Sequence, residues 1–246
     1  MKKNSRKKLL ACCLAVLLLC GGLLNVLGKK GSYPAMAPFH GPSQQLILDA
    51  GHGGEDGGAV SLSGVAESTI NLAITLKLDQ LLGFYGVCPR LLRDCDISLH
   101  EPEADTLRKK KVSDLKNRVK MIEETENAVV ISIHQNTYPS QAYHGAQVFY
   151  REGVESTTLA ALLQETLKNG VDQENQRQPA QIPDSIYLMQ HITCPAVLIE
   201  CGFLSNPAEE QKLLTFGYQT QLAICITGAW LRYSENQGGN FQAPVV

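Results

Sequence analysis

Three short apolar runs constrain this chain most: QLILDA at residues 45–50, AVVISI at 128–133 and AVLIE at 196–200. Each is too short for an ordinary helix and lacks the polar alternation of a strand with one wet face, so each reads as a buried strand. The segments between them carry helical spacing. Ile70, Ile74, Leu78 and Leu81 or Leu82 mark a helix over about residues 66–83, and Val112, Leu115, Val119 and Ile122 mark another that ends near Asn127. Leu159, Leu162, Leu163 and Leu167 give a third, and further helical patterns cover 207–214 and 218–233. Residues 85–92 and 145–151 read as additional strands, 94–111 as polar and irregular, and 170–184 as a surface loop rich in Gln, Pro and Asn. Strands alternating with helices predict an α/β fold: one three-layer domain, with a largely parallel twisted sheet and helices on both faces. No internal repeat and no second module is visible.

The 246-residue length bounds the rest. Setting aside the first thirty residues leaves about one ordinary domain, and 44% hydrophobic with 19% charged residues lies in the globular range. The net charge of −2 hides an asymmetry: residues 1–30 hold seven Lys or Arg and no acid, leaving 15 basic against 24 acidic side chains beyond them. Such a domain has no cationic footprint for nucleic acid. The basic residues Lys2, Lys3, Arg6, Lys7 and Lys8 precede an apolar run over residues 9–27, the pattern of an export signal. Its length is near the roughly 20 residues that span a bilayer, so residues 1–28 are either a signal peptide or an uncleaved membrane anchor facing its domain outward. The anchor is favoured, because Ala35-Met36-Ala37 lies far from the run and is followed by Pro38. Residues 29–44 read as a linker, 45–234 as the folded domain and 235–246 as a tail. Cys88, Cys95, Cys194, Cys201 and Cys225 form no CxxC pair, and their odd number argues for small hydrophobes rather than a disulfide framework.

In sheets of this kind ligands collect at the carboxyl ends of the strands. The sequence puts His52, His134 and Glu200 at or just beyond such ends. His52 sits in DAGHGGEDGG, residues 49–58, whose five glycines allow close backbone approach or positive φ. That loop is neither a dinucleotide fingerprint, whose sixth position would fall on Asp56, nor a phosphate loop, which needs GK[ST]. Glu67 falls in the first turn of a predicted helix, where the helix dipole by itself favours an acid. His134 closes the 128–133 run. Two histidines and a glutamate from three elements match the ligand set of a catalytic zinc with one open position, and HExxH is absent. Glu200 ends an apolar run, where a buried carboxylate needs a partner or a task. His40, His100 and His191 read as surface or structural.

These stretches resemble the zinc-dependent N-acetylmuramoyl-L-alanine amidases of the amidase-3 family. The resemblance covers about residues 45–232 and rests on DAGHGGEDGGA, GVAESTINLAITLKL, ISIHQN and PAVLIECGFLSNPAE, taken in order. It implies a zinc hydrolase acting on peptidoglycan outside the cytoplasm, with His52, Glu67 and His134 as zinc ligands and Glu200 as the catalytic carboxylate. Within the family, the segment LRKKKVSDLKNRVK at 107–120 and the compact single domain are similar to amidases of endospore formers that act in spore-cortex maturation. There a deacetylase would complete muramic-lactam formation, and an accessory protein partner is left open. A housekeeping septal autolysin and an inactive wall-binding regulator are the alternatives. Ala50 stands where many relatives have Pro, and Cys201 follows Glu200; neither is an implied ligand.

Overall fold

The computed structural model describes residues 44–237. The segments read as export signal and most of the linker lie outside the described residues, as does the tail from residue 238. Among the described residues no helix is long and apolar enough to cross a membrane.

Six strands form one sheet: β1 (Gln45–Ala50), β2 (Arg90–Leu91), β3 (Ala128–Asn136), β4 (Gln147–Tyr150), β5 (Ala180–Gln181) and β6 (Ala196–Phe203), in the spatial order β2-β1-β3-β6-β4-β5. The central β1, β3 and β6 are parallel, with Ile47 beside Val130 and Val130 beside Ala196. Strand β4 runs antiparallel to β6, and β5 is parallel to β4. Among the described residues six helices cover the sheet: α1 (Glu67–Phe84), α2 (Leu107–Glu123), α3 (Val154–Val171), α4 (Tyr187–His191), α5 (Pro207–Leu213) and α6 (Phe216–Asn236).

Alternation along the strands splits the core in two. Leu46, Leu48, Val129, Ile131, Ile133, Val197 and Ile199 point to the face covered by α1, α3 and α6. Ile47, Val130, Ala196 and Leu198 point to the face covered by α2 and α4. Both faces are dry, which is why the strand runs are continuously apolar. Thr106 and Thr215 cap α2 and α6 with their hydroxyls, as helix N-termini require.

The differences from the sequence reading are local and have physical causes. The predicted strand at 85–92 shrinks to the two residues of β2, because an edge strand beside β1 has only one partner. Residues 170–184 are not wholly loop: β5 lies among them, and Asn175 is buried, donating to the Ala146 carbonyl at 2.8 Å. The polar stretch 94–111 gives way to α2 at Leu107, and the short α4 carries no clear periodic signal. Strands β3 and β6 run past the apolar runs, so His134 and Glu200 lie inside strands rather than at their ends. Pairing continues through them, since Glu200 is the register partner of His134, and the ladder shifts only after His134.

Candidate active site

Gly51 continues β1 into the loop by donating to the Ile133 carbonyl at 3.0 Å. A side chain at Gly51 would run into the His134 imidazole, and one at Gly58 would meet the Glu67 carboxylate and the His52 ring. Both glycines are therefore demanded by the polar side chains around them. His52 itself has φ +62°, a left-handed conformation that costs a non-glycine residue strain.

Two buried arginines hold that conformation. Arg118 of α2 donates to the His52 carbonyl at 2.8 Å and the Ala50 carbonyl at 3.0 Å, and is ion-paired with Asp49 and Asp114. Arg93 donates to the carbonyls of Ala50 (2.9 Å), Gly51 (3.1 Å) and Ser68 (2.9 Å). Burial works against the Arg118 charge, but Asp49 and Asp114 outweigh it and raise its pKa. Burial would likewise raise Asp49, yet Arg118 and the Ser132 hydroxyl at 2.6 Å keep it below the usual range.

Glu67 enters from the start of α1. No side chain caps this helix; its first N–H groups, of Glu67 and Ser68, donate to the loop carbonyls of Ala59 (2.8 Å) and Gly57 (3.0 Å). The helix start is thereby stitched to the glycine loop. The Glu67 carboxylate accepts from the backbone N–H of Ala59 (2.9 Å) and of Gln135 (3.1 Å), and from the Asn71 amide (3.2 Å). His134 Nδ1 lies 3.0 Å from its Oε1, and His52 Nε2 lies 3.4 Å from its Oε2. Burial pushes the Glu67 pKa up, but His134, His52 and the Ala59 N–H outweigh it and hold it at about 2.

His52, Glu67 and His134 thus converge, each offering a ligand atom within 4.8 Å of the others. The imidazoles meet edge to face at 5.2 Å between centroids. Glu67 is 5% exposed while His52 and His134 are 18% and 20% exposed, so the cluster is walled behind and open in front. Asp56 Oδ2 lies 3.0 Å from His52 Nδ1, which leaves Nε2 facing the cluster; carboxylates orient metal-binding histidines in this way. Lys111 pairs with Asp56 at 3.2 Å, adding a further tie from α2.

Glu200 stands beside His134 in the sheet. Its Oε2 is buried and accepts no hydrogen bond from any described residue. Burial lifts its pKa to about 7; His134 opposes that rise and Glu67 adds to it. The sequence reading brought forward all four of these residues. It missed Asp56, Asn71, Gln135, Arg93 and Arg118. Asp56, four residues from His52, Asn71, four residues from Glu67, and Gln135, next to His134, lie close in the chain to residues of the site, whereas Arg93 and Arg118 act through contacts remote in the chain.

Of the other histidines, His100 bonds Ser98 and His191 bonds the Tyr187 carbonyl, while His144 lies 3.6 Å from Asp172. None of these joins the cluster, and His40 lies outside the described residues. All five described cysteines are free; only Cys201 is fully buried, and Cys88 and Cys95 are exposed, so the reading of all five as small core hydrophobes does not hold for that pair.

The sheet thus brings together two histidines and a glutamate that could hold a metal ion, with a second glutamate beside them. The family model for N-acetylmuramoyl-L-alanine amidase, Amidase_3, matches residues 46–231, and the chain belongs to that family. It is a peptidoglycan amidase, which cleaves the amide between N-acetylmuramic acid and the L-alanine of the stem peptide. The chain is 37% identical over 194 residues to the germination-specific N-acetylmuramoyl-L-alanine amidase of Bacillus subtilis, covering 78% of this chain and 81% of that one. Among solved structures it is similar to the CwlD amidase of Clostridioides difficile in complex with the GerS lipoprotein, with TM-score 0.75, 40% identity, and 78% and 99% of the two chains covered. An N-acetylmuramoyl-L-alanine amidase from Clostridium difficile 630 matches with TM-score 0.67 and 28% identity, over 78% and 97% of the chains.

Proposed function

We propose that this amidase is zinc-dependent, that His52, Glu67 and His134 hold the metal, and that Glu200 moves the protons of the reaction. The observation that carries this reading is the buried Glu200 Oε2 without a partner, next to three ligand-type side chains that converge on one point. Two imidazoles and one carboxylate, open on one side, fit a catalytic zinc site. A bound zinc ion would polarise the scissile carbonyl and acidify the attacking water.

The chain's own residues supply the rest. Glu200, with a pKa raised to about 7 by burial, is basic enough to take a proton from water and acidic enough to return it to the departing L-alanine nitrogen. Asp56 holds the His52 tautomer, and Asn71 with the Gln135 and Ala59 N–H groups keeps Glu67 ionised and aimed. The products are a glycan strand relieved of that stem and a free peptide.

The relatives support a particular setting. A germination-specific relative supports a role in spore-cortex maturation, in which a deacetylase would complete muramic-lactam formation on the stripped sugar. The relative solved with a lipoprotein supports an accessory protein partner here as well. The basic and apolar N-terminal segment supports action outside the cytoplasm, with residues 1–28 retained as a membrane anchor, 29–44 as linker and 45–234 as the catalytic domain. The test is mass spectrometry of purified peptidoglycan treated with the protein, with and without a chelator. The expected result is release of stem peptides beginning at L-alanine, about one zinc per chain, and loss of release on chelation. Full activity of metal-free protein would overturn the zinc assignment.

A further inference from the structure

The carboxyl edge of the sheet carries a row of polar side chains that extends beyond the site described. His134 pairs in register with Glu200, and Glu200 pairs in register with Gln147 of β4. Residues directly opposed on neighbouring strands project to the same face, so these three stand side by side. The row then reaches Arg177, whose Nη1 donates to Gln147 Oε1 at 2.8 Å.

Arg177 is held in place without a counter-ion. Its Nε donates to the His144 carbonyl at 2.8 Å, and its guanidinium lies 4.6 Å above the Phe203 ring and 5.9 Å from the Tyr143 ring. Its own N–H is fixed by Asn175 Oδ1 at 2.9 Å, and Asn175 is in turn buried. Among the described residues no carboxylate pairs with Arg177, and its Nη2 has no hydrogen-bond partner. A guanidinium oriented by neutral acceptors and aromatic faces, with one edge of its fork unused, is preorganised for a planar anion.

We propose that Gln147 and Arg177 form a stem-peptide subsite in which Arg177 binds a carboxylate two or three residues beyond the scissile amide. The inference rests on the reading of Glu200 as the residue at the scissile bond. From Glu200, one strand spacing of about 4.8 Å and the hydrogen bond to Gln147 set the guanidinium roughly 8 Å along the row. An extended peptide advances about 3.3–3.6 Å per residue, so the second or third stem residue reaches it. In peptidoglycan the second stem residue is a glutamate linked through its side chain, with its main-chain carboxylate free or amidated. The third is a diamino acid that can carry a carboxylate of its own.

The experiment measures binding of the released stem tripeptide to the intact protein by calorimetry. Three forms are compared: both carboxylates free, the second-residue carboxylate amidated, and the third-residue side-chain carboxylate amidated. One amidation is expected to weaken binding about ten- to a hundredfold, the worth of one charge-assisted pair, and thereby to identify which carboxylate is read. Arg177→Gln should bind the free form as weakly as the wild type binds that amide, and Arg177→Lys should fall between, since it keeps charge without the fork. Equal binding of all three forms by the wild type would overturn the proposal. So would an Arg177→Gln variant that loses affinity equally for every form, which would mark Arg177 as a packing residue. Glu200→Gln should leave the discrimination intact. Cleavage of the muramoyl amide by the wild type is measured separately, so failure of the amidase mechanism would be read apart from failure of the subsite.

Discussion

Glu67 and Glu200 are both carboxylates near His134, yet their surroundings drive them to opposite states. Glu67 accepts from two backbone N–H groups, an amide and a histidine, and is held near a pKa of about 2. Glu200 has a buried oxygen with no donor and rises to about 7. Such a split assigns the permanently charged group to holding a cation and the other to exchanging protons. Glu200→Gln is therefore expected to keep its zinc, measured by metal analysis, while kcat falls by roughly 10² to 10⁴, the usual range of general acid–base catalysis. Glu67→Gln is expected to lose metal affinity, because a charged ligand becomes a neutral amide. If Glu200→Gln turns over normally, or sheds zinc as readily as Glu67→Gln, the two roles must be exchanged.

At the scale of elements, α2 does more than cover the sheet. Lys111 reaches Asp56, and Arg118, 2% exposed, spans from Asp114 on its own helix to Asp49 on β1 and the His52 carbonyl. Truncating Arg118 would leave Asp49, 1% exposed, as a buried charge without its cation. Arg118→Leu is expected to cost about 3–5 kcal/mol in urea denaturation, the range for breaking a buried pair by removing one partner. The double variant Arg118→Leu with Asp49→Asn should recover part of that loss, since the stranded charge is gone. Zinc affinity should fall in both, because His52 loses the donor that holds its left-handed backbone. A stability change under about 1 kcal/mol for the single variant would show that the pair is dispensable.

At the scale of the whole molecule, the described domain has a dry two-sided core. For the basic and apolar stretch at residues 1–28 we propose the role of an uncleaved anchor. The protein is expected to fractionate with membranes and to retain its N-terminus, as read by N-terminal sequencing. A mature form beginning at Pro38 would mean that Ala35-Met36-Ala37 is a cleavage site and that the domain is released.

The sequence alone determined the layered α/β fold and brought forward the four residues proposed for the site. Continuous apolar runs can satisfy their backbone only inside a covered sheet, and polar residues next to such runs have little reason to be there without a task. It also carried the glycine loop, since five glycines around one histidine mark backbone that must come close to something. Tertiary structure decided the rest. The direction of β4 is invisible to periodicity, because parallel and antiparallel strands share the same alternation. Arg93 and Arg118 look like solvated charges on their own segments, and only folding buries them against the carbonyls at the glycine loop, 43 and 68 residues from Ala50. The row from His134 through Glu200 and Gln147 to Arg177 exists only because register sets three distant residues side by side and a hydrogen bond adds the fourth. Local sequence sets which side chains must be buried; the pairing of strands sets which of them meet.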